Sequence, residues 1–272
     1  VLKFSDRIVV LREGKKVGEL LTSDANEKII AKLMVGEDTS VKKRDKIAVG
    51  KALLSMSNVS AKGTSVRNGL VNVSLTVFEH EILGIAGVSG NGQSMLAEVI
   101  SGLSKLDDGE LSFGLQISNN FSPKEVIKAR VGRIPEDRHR DGMIGSMTVA
   151  ENLIIENLDN SKIKSFGFLN RELMNLSALE LCKKYDVRGP GTQAAARLLS
   201  GGNIQKMILA RVFNNEPKII LANQPTRGLD MGAASEVERR LLDARSRGTG
   251  TILISEDLDE ILRLSDRILV IH

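Results

Sequence analysis

The sequence predicts an α/β protein built on a mostly parallel sheet. Three observations carry that expectation. Short continuous apolar runs recur at 82–86, 219–222 and 251–255, the pattern of strands buried on both faces. Helical patterns alternate with them, near 95–100, 123–130, 170–185 and 232–247. The first apolar run leads through a glycine-rich loop straight into a helical pattern.

Composition narrows the function. The chain has 272 residues, 42% hydrophobic and 26% charged, enough to bury a core without staples. A single cysteine, Cys182, leaves no intrachain disulfide and no four-cysteine zinc site, and three scattered histidines disfavour a His/Cys metal site. The formal net charge of +4 is spread along the chain. With seven Phe, one Tyr and no Trp, a base-stacking platform is disfavoured, so no nucleic-acid partner is expected. No apolar run approaches the ~20 residues that cross a bilayer.

Element by element, the chain opens on a hairpin, 8–11 and 17–20, joined by Arg12-Glu13-Gly14-Lys15. Asp24-Ala25-Asn26-Glu27 is a capping-box pattern, expected to open a short helix that runs to Met34 and stops at Gly36. Residues 37–51 are polar, include Lys42-Lys43-Arg44, and read as a linker. From Leu53 strands begin, with Val71, Val73, Leu75 and Val77 alternating with polar residues.

An internal repeat divides the chain. Leu2-Lys3-Phe4-Ser5-Asp6-Arg7-Ile8-Val9-Val10-Leu11 matches Leu262-Arg263-Leu264-Ser265-Asp266-Arg267-Ile268-Leu269-Val270-Ile271 at an offset of 260 residues. The chain is therefore expected to be a fragment of a tandem protein: residues 1–36 end a first copy, 37–51 link, and 52–272 form a second copy truncated at its C-terminus. The hairpin is expected to fill the place beside the last strand, in its own domain or in a neighbouring molecule.

Four segments carry chemistry. Gly87-Val88-Ser89-Gly90-Asn91-Gly92-Gln93-Ser94 has the strand–loop–helix context of a phosphate-binding loop. Its glycines free backbone N–H groups to wrap a phosphate, and the helix N-terminus adds positive potential. Ser94 stands where a hydroxyl meets Mg²⁺, and Gln93 stands where the motif wants Lys. Leu199-Ser200-Gly201-Gly202-Asn203 opens a second helix with anion-gripping chemistry. The others are Asn223-Gln224-Pro225-Thr226-Arg227-Gly228-Leu229-Asp230, after a strand, and Ser255-Glu256-Asp257.

In order and spacing these segments resemble the Walker A loop, signature motif, Walker B strand with D-loop, and switch loop of an ATP-binding cassette (ABC) transporter ATPase. The resemblance covers about 52–272, and 1–36 is similar to the end of a preceding cassette. It implies a P-loop NTPase-like fold with a mostly parallel core sheet, an antiparallel β portion and a helical subdomain at about 145–205. Pro135-Glu136-Asp137-Arg138-His139-Arg140 and Leu-Ser-Gly-Gly-Asn resemble the tandem ATPase subunits of bacterial importers for simple sugars and nucleosides. Gly-Asn-Gly-Gln-Ser, Gln-Pro-Thr-Arg-Gly-Leu-Asp and Ser-Glu-Asp-Leu-Asp-Glu favour the nucleoside branch.

By that resemblance Gly87, Ser89, Gly90, Asn91, Gly92, Gln93 and Ser94 hold ATP. Asn223 and Gln224 occupy the places of the Walker B Asp and Glu, Glu256 that of the switch His, and Glu136 that of the Q-loop Gln. No aromatic in 59–64 offers a ring for adenine. The site is thus expected to be degenerate, binding ATP with little hydrolysis and Mg²⁺ weakly or not at all, through Ser94 and Asn223. Ser200, Gly201, Gly202 and Asn203 are expected to complete the ATP site of the first cassette across an interface, with Asp230 in the D-loop. Partners are then that cassette, integral membrane permease subunits and, indirectly, an extracytoplasmic solute-binding protein, at the cytoplasmic face of the membrane. Arg138, His139 and Arg140 either meet an acidic element there or form a solvated loop. Two alternatives remain: an ABC ATPase acting on DNA or the ribosome, and a scaffold cassette that binds no nucleotide.

Overall fold

The structure is a computed structural model that describes residues 2–12, 14–26, 29–30, 33, 45–65, 68–158, 163–165 and 168–272. Five strands form the central sheet: β5 (Ile82–Ala86), β8 (Val131–Ile134), β11 (Ile219–Asn223), β12 (Gly250–Ile254) and β13 (Arg267–Val270). Their order is β13-β5-β12-β11-β8, and every pairing is parallel. Four others form an antiparallel sheet in the order β4-β3-β6-β7: β3 (Ala52–Ala61), β4 (Leu70–Phe78), β6 (Asp108–Phe113) and β7 (Gln116–Ser118). A two-residue ribbon pairs β9 (Lys164–Ser165) with β10 (Phe168–Leu169). The fold class expected from the sequence is the one observed.

The central strands are apolar throughout because both faces are covered. In β5, Leu83 and Ile85 enter a core shared with the antiparallel sheet and α1 (Gln93–Ile100), while Ile82 and Ala86 face the other way. That second core holds α3 (Val149–Ile154), α4 (Arg171–Lys184), α5 (Gly201–Asn214), α6 (Met231–Ser246) and α7 (Leu258–Leu264). The same alternation sorts Leu221 from Ile220 in β11 and Ile252 from Leu253 in β12. Gly84 is small because α7 lies on it: a Cβ there would meet Ser265 Oγ at 2.2 Å.

Helix ends follow local chemistry. Ser122 and Glu125 form a capping box on α2 (Pro123–Lys128), and Thr148 and Glu151 form another on α3. Asn152, fully buried, bonds the Ile144 N–H and carbonyl and so ties the loop before α3 to its helix.

Near the N-terminus two expectations change. The capping contact falls on Asn26, whose Oδ1 accepts from Ile29 N at 2.9 Å; Asp24 belongs to a 3-10 turn over Thr22–Asp24. Residues 27–28, 31–32 and 34–44, which include most of that helix and much of the linker, lie outside the described residues. The hairpin exists, pairing β1 (Arg7–Arg12) with β2 (Lys15–Leu21). It forms a sheet of its own and does not take the place beside β13 within this chain. Its apolar side is already covered: Ile8 and Val10 are buried, and Leu33 packs on Gly18.

One buried ion pair braces the edge of the central sheet. Arg245, 2% exposed at the end of α6, grips Asp266 with two bonds of 2.7 Å, and Asp266 also accepts from Ile82 N. Removing one partner strands the other charge in the interior, at a cost of about 3–5 kcal/mol. Asp266→Ala is therefore expected to lose about that much stability in urea unfolding; a change within about 0.5 kcal/mol contradicts the assignment.

Candidate functional site

Parallel pairing puts the C-terminal ends of β5, β8, β11 and β12 on one edge of the sheet, where open α/β sheets hold their ligands. A small pocket there, about 20 Å³, is lined by Gly87, Ser89, Gly90, Gln93, Ser94, Glu136, Asn223, Gln224, Ile254, Ser255 and Glu256. The fold thus gathers residues drawn from four separate segments of sequence. A larger cavity of about 680 Å³ lies at the opposite ends of the strands. Its Lys184 and Arg247 sit at the C-termini of α4 and α6, where basic groups offset the negative helix end. The chemistry favours the smaller pocket.

The glycine loop is shaped by backbone needs. Gly90 and Gly92 have φ of 91° and 94°, in the left-handed region that L side chains rarely enter. At Gly92 a Cβ would also strike the Gly69 carbonyl at 2.7 Å, whereas the space over Gly90 is open. No side chain caps α1, so its first N–H groups stay available to an anion. The loop nevertheless partly satisfies itself. Gln93 Nε2 donates to the Val88 carbonyl at 2.9 Å, and Gln93 Oε1 accepts from Asn91 N at 3.0 Å. The amide thus bonds both a donor and an acceptor of its own loop.

Opposite the loop, β11 ends in Asn223, 8% exposed, and Gln224 adopts φ 50°, a strained value for its side chain. Gln224 N donates to the Ile254 carbonyl at 2.8 Å, and Glu256 N reaches Gln224 Oε1 at 3.4 Å. Gln224 and Glu256 therefore brace each other. Donors here suit a phosphate: free backbone N–H groups, Ser89, Ser94 and two neutral amides. Asn223 supplies no carboxylate for a Mg²⁺; the carboxylates that line the pocket are Glu136, engaged by Arg227, and Glu256. Among the described residues no cluster of three or more His, Cys, Asp or Glu side chains would hold a metal.

Glu136 lines the pocket, and its Oε1 accepts from Arg227 Nη1 at 2.6 Å. Arg138 also turns inward: its Nη2 donates to the carbonyls of Arg227 at 2.9 Å and Gly228 at 3.4 Å. Gln205, buried on α5, donates to the Pro225 carbonyl at 2.8 Å, and Thr226 Oγ1 donates to Glu260 of α7. Four consecutive residues, 225–228, are thus held by the segment at 136–138, by α5 and by α7. Sequence reading missed this junction; the Pro-Thr-Arg-Gly turn marked a loop but not its partners. Arg140 pairs with Asp141, and the turn N–H groups of Arg140 and then His139 hold the Asp137 carboxyl below its usual range.

Ser200, Gly201, Gly202 and Asn203 do not reach the pocket. They open α5, with Asn203 Nδ2 donating to Ser200 Oγ at 2.9 Å and no side-chain cap on the helix. Asp230 also stands apart, as the cap of α6 that accepts from Ala233 N. No helix among the described residues is long and apolar enough to cross a membrane.

Known proteins share this arrangement. The family described as ABC transporter matches residues 70–227. The glucose import ATP-binding protein TsgD13 of Haloferax volcanii is 44% identical over 98% of this chain and 49% of its own length. Identity to the nucleoside import ATP-binding protein NupA of Lactococcus lactis is 40%, over 98% of this chain and 53% of that protein. The chain spans about half the length of the curated relatives it matches. Among solved structures, the dimeric ATP-binding cassette MJ0796 in a post-hydrolysis state with ADP and Pi superposes with a TM-score of 0.66 at 26% identity, covering 80% of this chain and 94% of its own. The matched family segment takes in the glycine loop, the signature-like helix and the strand ending at Asn223, and the chain belongs to the ABC transporter family.

Proposed function

We propose that this chain is an ATP-binding half of a tandem-cassette importer for nucleosides or simple sugars, with a degenerate site of its own. One observation carries the reading: Gln93, Asn223, Gln224 and Glu256 meet in one pocket, where a hydrolytic site needs a cation, a metal-orienting acid and a water-polarising acid. The isosteric amides keep the shape and remove the charge. In support, relatives that import glucose, nucleosides and guanosine run about twice the length matched, as a second cassette requires. Residues 1–36 then belong to a first cassette, 37–51 link, and 52–272 form the second.

ATP binds through the N–H groups of the glycine loop and α1, with Gln93 displaced from the cradle. Ser94 and Asn223 orient the phosphates with little help from Mg²⁺. Ser200, Gly201, Gly202 and Asn203, with Asp230, serve the ATP of the first cassette, which is why they stand away from this pocket. Closure of the pair on ATP moves the segment at 136–138, and that motion passes to integral permease subunits at the cytoplasmic face. The extracytoplasmic solute-binding protein acts through those subunits. A second reading, a scaffold cassette that takes no nucleotide, is favoured by one feature: the Gln93 amide already fills the loop.

Three outcomes test this. The chain alone is expected to turn over ATP far below ~1 s⁻¹, and a rate at or above that value refutes the degenerate site. Gln93→Lys replaces a neutral hydrogen bond by a charge-assisted one and is expected to tighten ATP binding roughly tenfold by calorimetry; ATP binding by neither protein selects the scaffold. In the full-length protein, Ser200→Ala is expected to cut ATP turnover by at least about tenfold, since removing one donor to transition-state charge costs ~10²–10³ in rate. An unchanged rate counts against the shared site.

A further inference from the structure

Glu260 closes the Ser-Glu-Asp-Leu-Asp-Glu segment, yet neither the pocket nor the family resemblance gives it a role. It lies on α7, 1% exposed. One oxygen, Oε1, accepts from Thr226 Oγ1 at 2.9 Å, and the other, Oε2, has no hydrogen-bond partner among the described residues. Buried carboxylates are stabilised by paired cations or several N–H donors. Among the described residues no cation faces the group alone. Glu238, from α6, is itself buried and bonded to Arg263, and Asp257, the cap of α7, adds a second negative charge. The groups around Glu260 are therefore two hydroxyls, Thr226 and Ser255, two acids, Glu238 and Asp257, and one arginine already engaged.

Its position matters because of what it joins. Thr226 comes two residues after Gln224, and Ser255, 4% exposed, comes one residue before Glu256. These are the two strand ends that form the pocket floor, braced on the pocket side by the Glu256 N–H to Gln224 Oε1 contact. Glu260 sits behind them, on the interior side. We infer that Glu260 is a positioning residue, which holds the loop carrying Gln224 against the strand end carrying Glu256 from inside the fold and so sets the floor of the phosphate pocket. The role rests on the proposed nucleotide-binding reading of that pocket.

The carboxyl performs this as the neutral acid. A neutral acid tolerates Glu238 and Asp257 and keeps Oε1 as an acceptor for Thr226. An ionised one gains stronger bonds from the two hydroxyls but adds a third negative charge beside Glu238 and Asp257, and that repulsion loosens the seat of α7. Burial, the largest influence, raises its proton affinity; the Ser255 and Thr226 hydroxyls oppose this, and Glu238 and Asp257 reinforce it. The sign for stability follows. In the unfolded chain Glu260 releases its proton in the ordinary carboxylate range, and in the folded chain only at higher pH. Its contribution is complete below the ordinary range and is lost as pH rises through the raised folded value.

Glu260→Gln keeps the neutral shape at every pH, and Glu260→Ala removes it. Thermal unfolding of the chain without nucleotide is expected to show Glu260→Gln gaining on the wild type as pH rises above the ordinary carboxylate range, until the carboxyl of the folded chain itself ionises. A constant difference overturns the neutral-acid assignment. For positioning, ATP affinity is titrated by calorimetry on both sides of the pH at which that gain levels off, as the ratio of wild type to Glu260→Gln, which cancels the titration of ATP itself. That ratio is expected to fall roughly threefold to tenfold, with Glu260→Ala weak throughout. ATP binding with a flat ratio overturns the positioning role while leaving the nucleotide-binding reading intact. Absence of ATP binding by the wild type at every pH overturns that reading and the positioning role with it, and the unfolding series still reports the ionisation.

Discussion

Parallel pairing of β5, β12 and β11 is the constraint on which the site depends. Ile254 is hydrogen-bonded in register with both Ile85 and Asn223, so three strands end at the same level. Each end releases a loop into the same space: the glycine loop after β5, Asn223 and Gln224 at the end of β11, Ser255 and Glu256 after β12. A right-handed crossover between parallel strands must carry a helix, and that helix starts beside the strand end it has just left. The N-terminus of α1 and the strand ends are therefore brought together by the sheet itself. A one-residue slip would turn Leu83 and Ile85 out of one core and into the other, and burial of both faces forbids it.

Within that frame the pocket is quiet. Gln93 bonds its own loop, Gln224 bonds across to β12, and Glu136 is engaged by Arg227. These side chains and backbone groups are satisfied by neighbours of the same chain. The energy of charge in a water-poor site is what makes phosphoryl transfer fast. In the proposed reading the neutral amides forgo that charge and keep the shape of the site.

Residues 225–228 make the pocket part of something larger. Their backbone and side chains are held by Gln205, Arg138, Glu136 and Glu260, from three elements that otherwise lie apart. A shift in any one of these elements reaches the loop through a direct hydrogen bond. The bonds differ in strength: the Arg227–Glu136 pair is exposed and screened, whereas the Gln205 and Glu260 contacts are buried and less easily exchanged for water.

By itself the sequence determined the alternation of strands and helices, the glycine loop, the amides in place of acids and the initial hairpin, because these are local: periodicity, turn chemistry and residue type are set within a few neighbours. It was silent on β6, β7 and β8, whose short runs carry Asp108, Gly109 and Arg133 and acquire strand character only from their partners. It misplaced the early cap by two residues, since Asp24 and Asn26 are equivalent on local rules and the 3-10 turn chose between them. Only the tertiary structure decided that the hairpin forms its own sheet, that Gln93 folds back into the loop, that Arg138 faces inward and that Glu260 is buried with an oxygen unpartnered. Each of those outcomes turns on residues far apart in the chain competing for the same donors and the same dry space, and that competition is settled by packing in three dimensions.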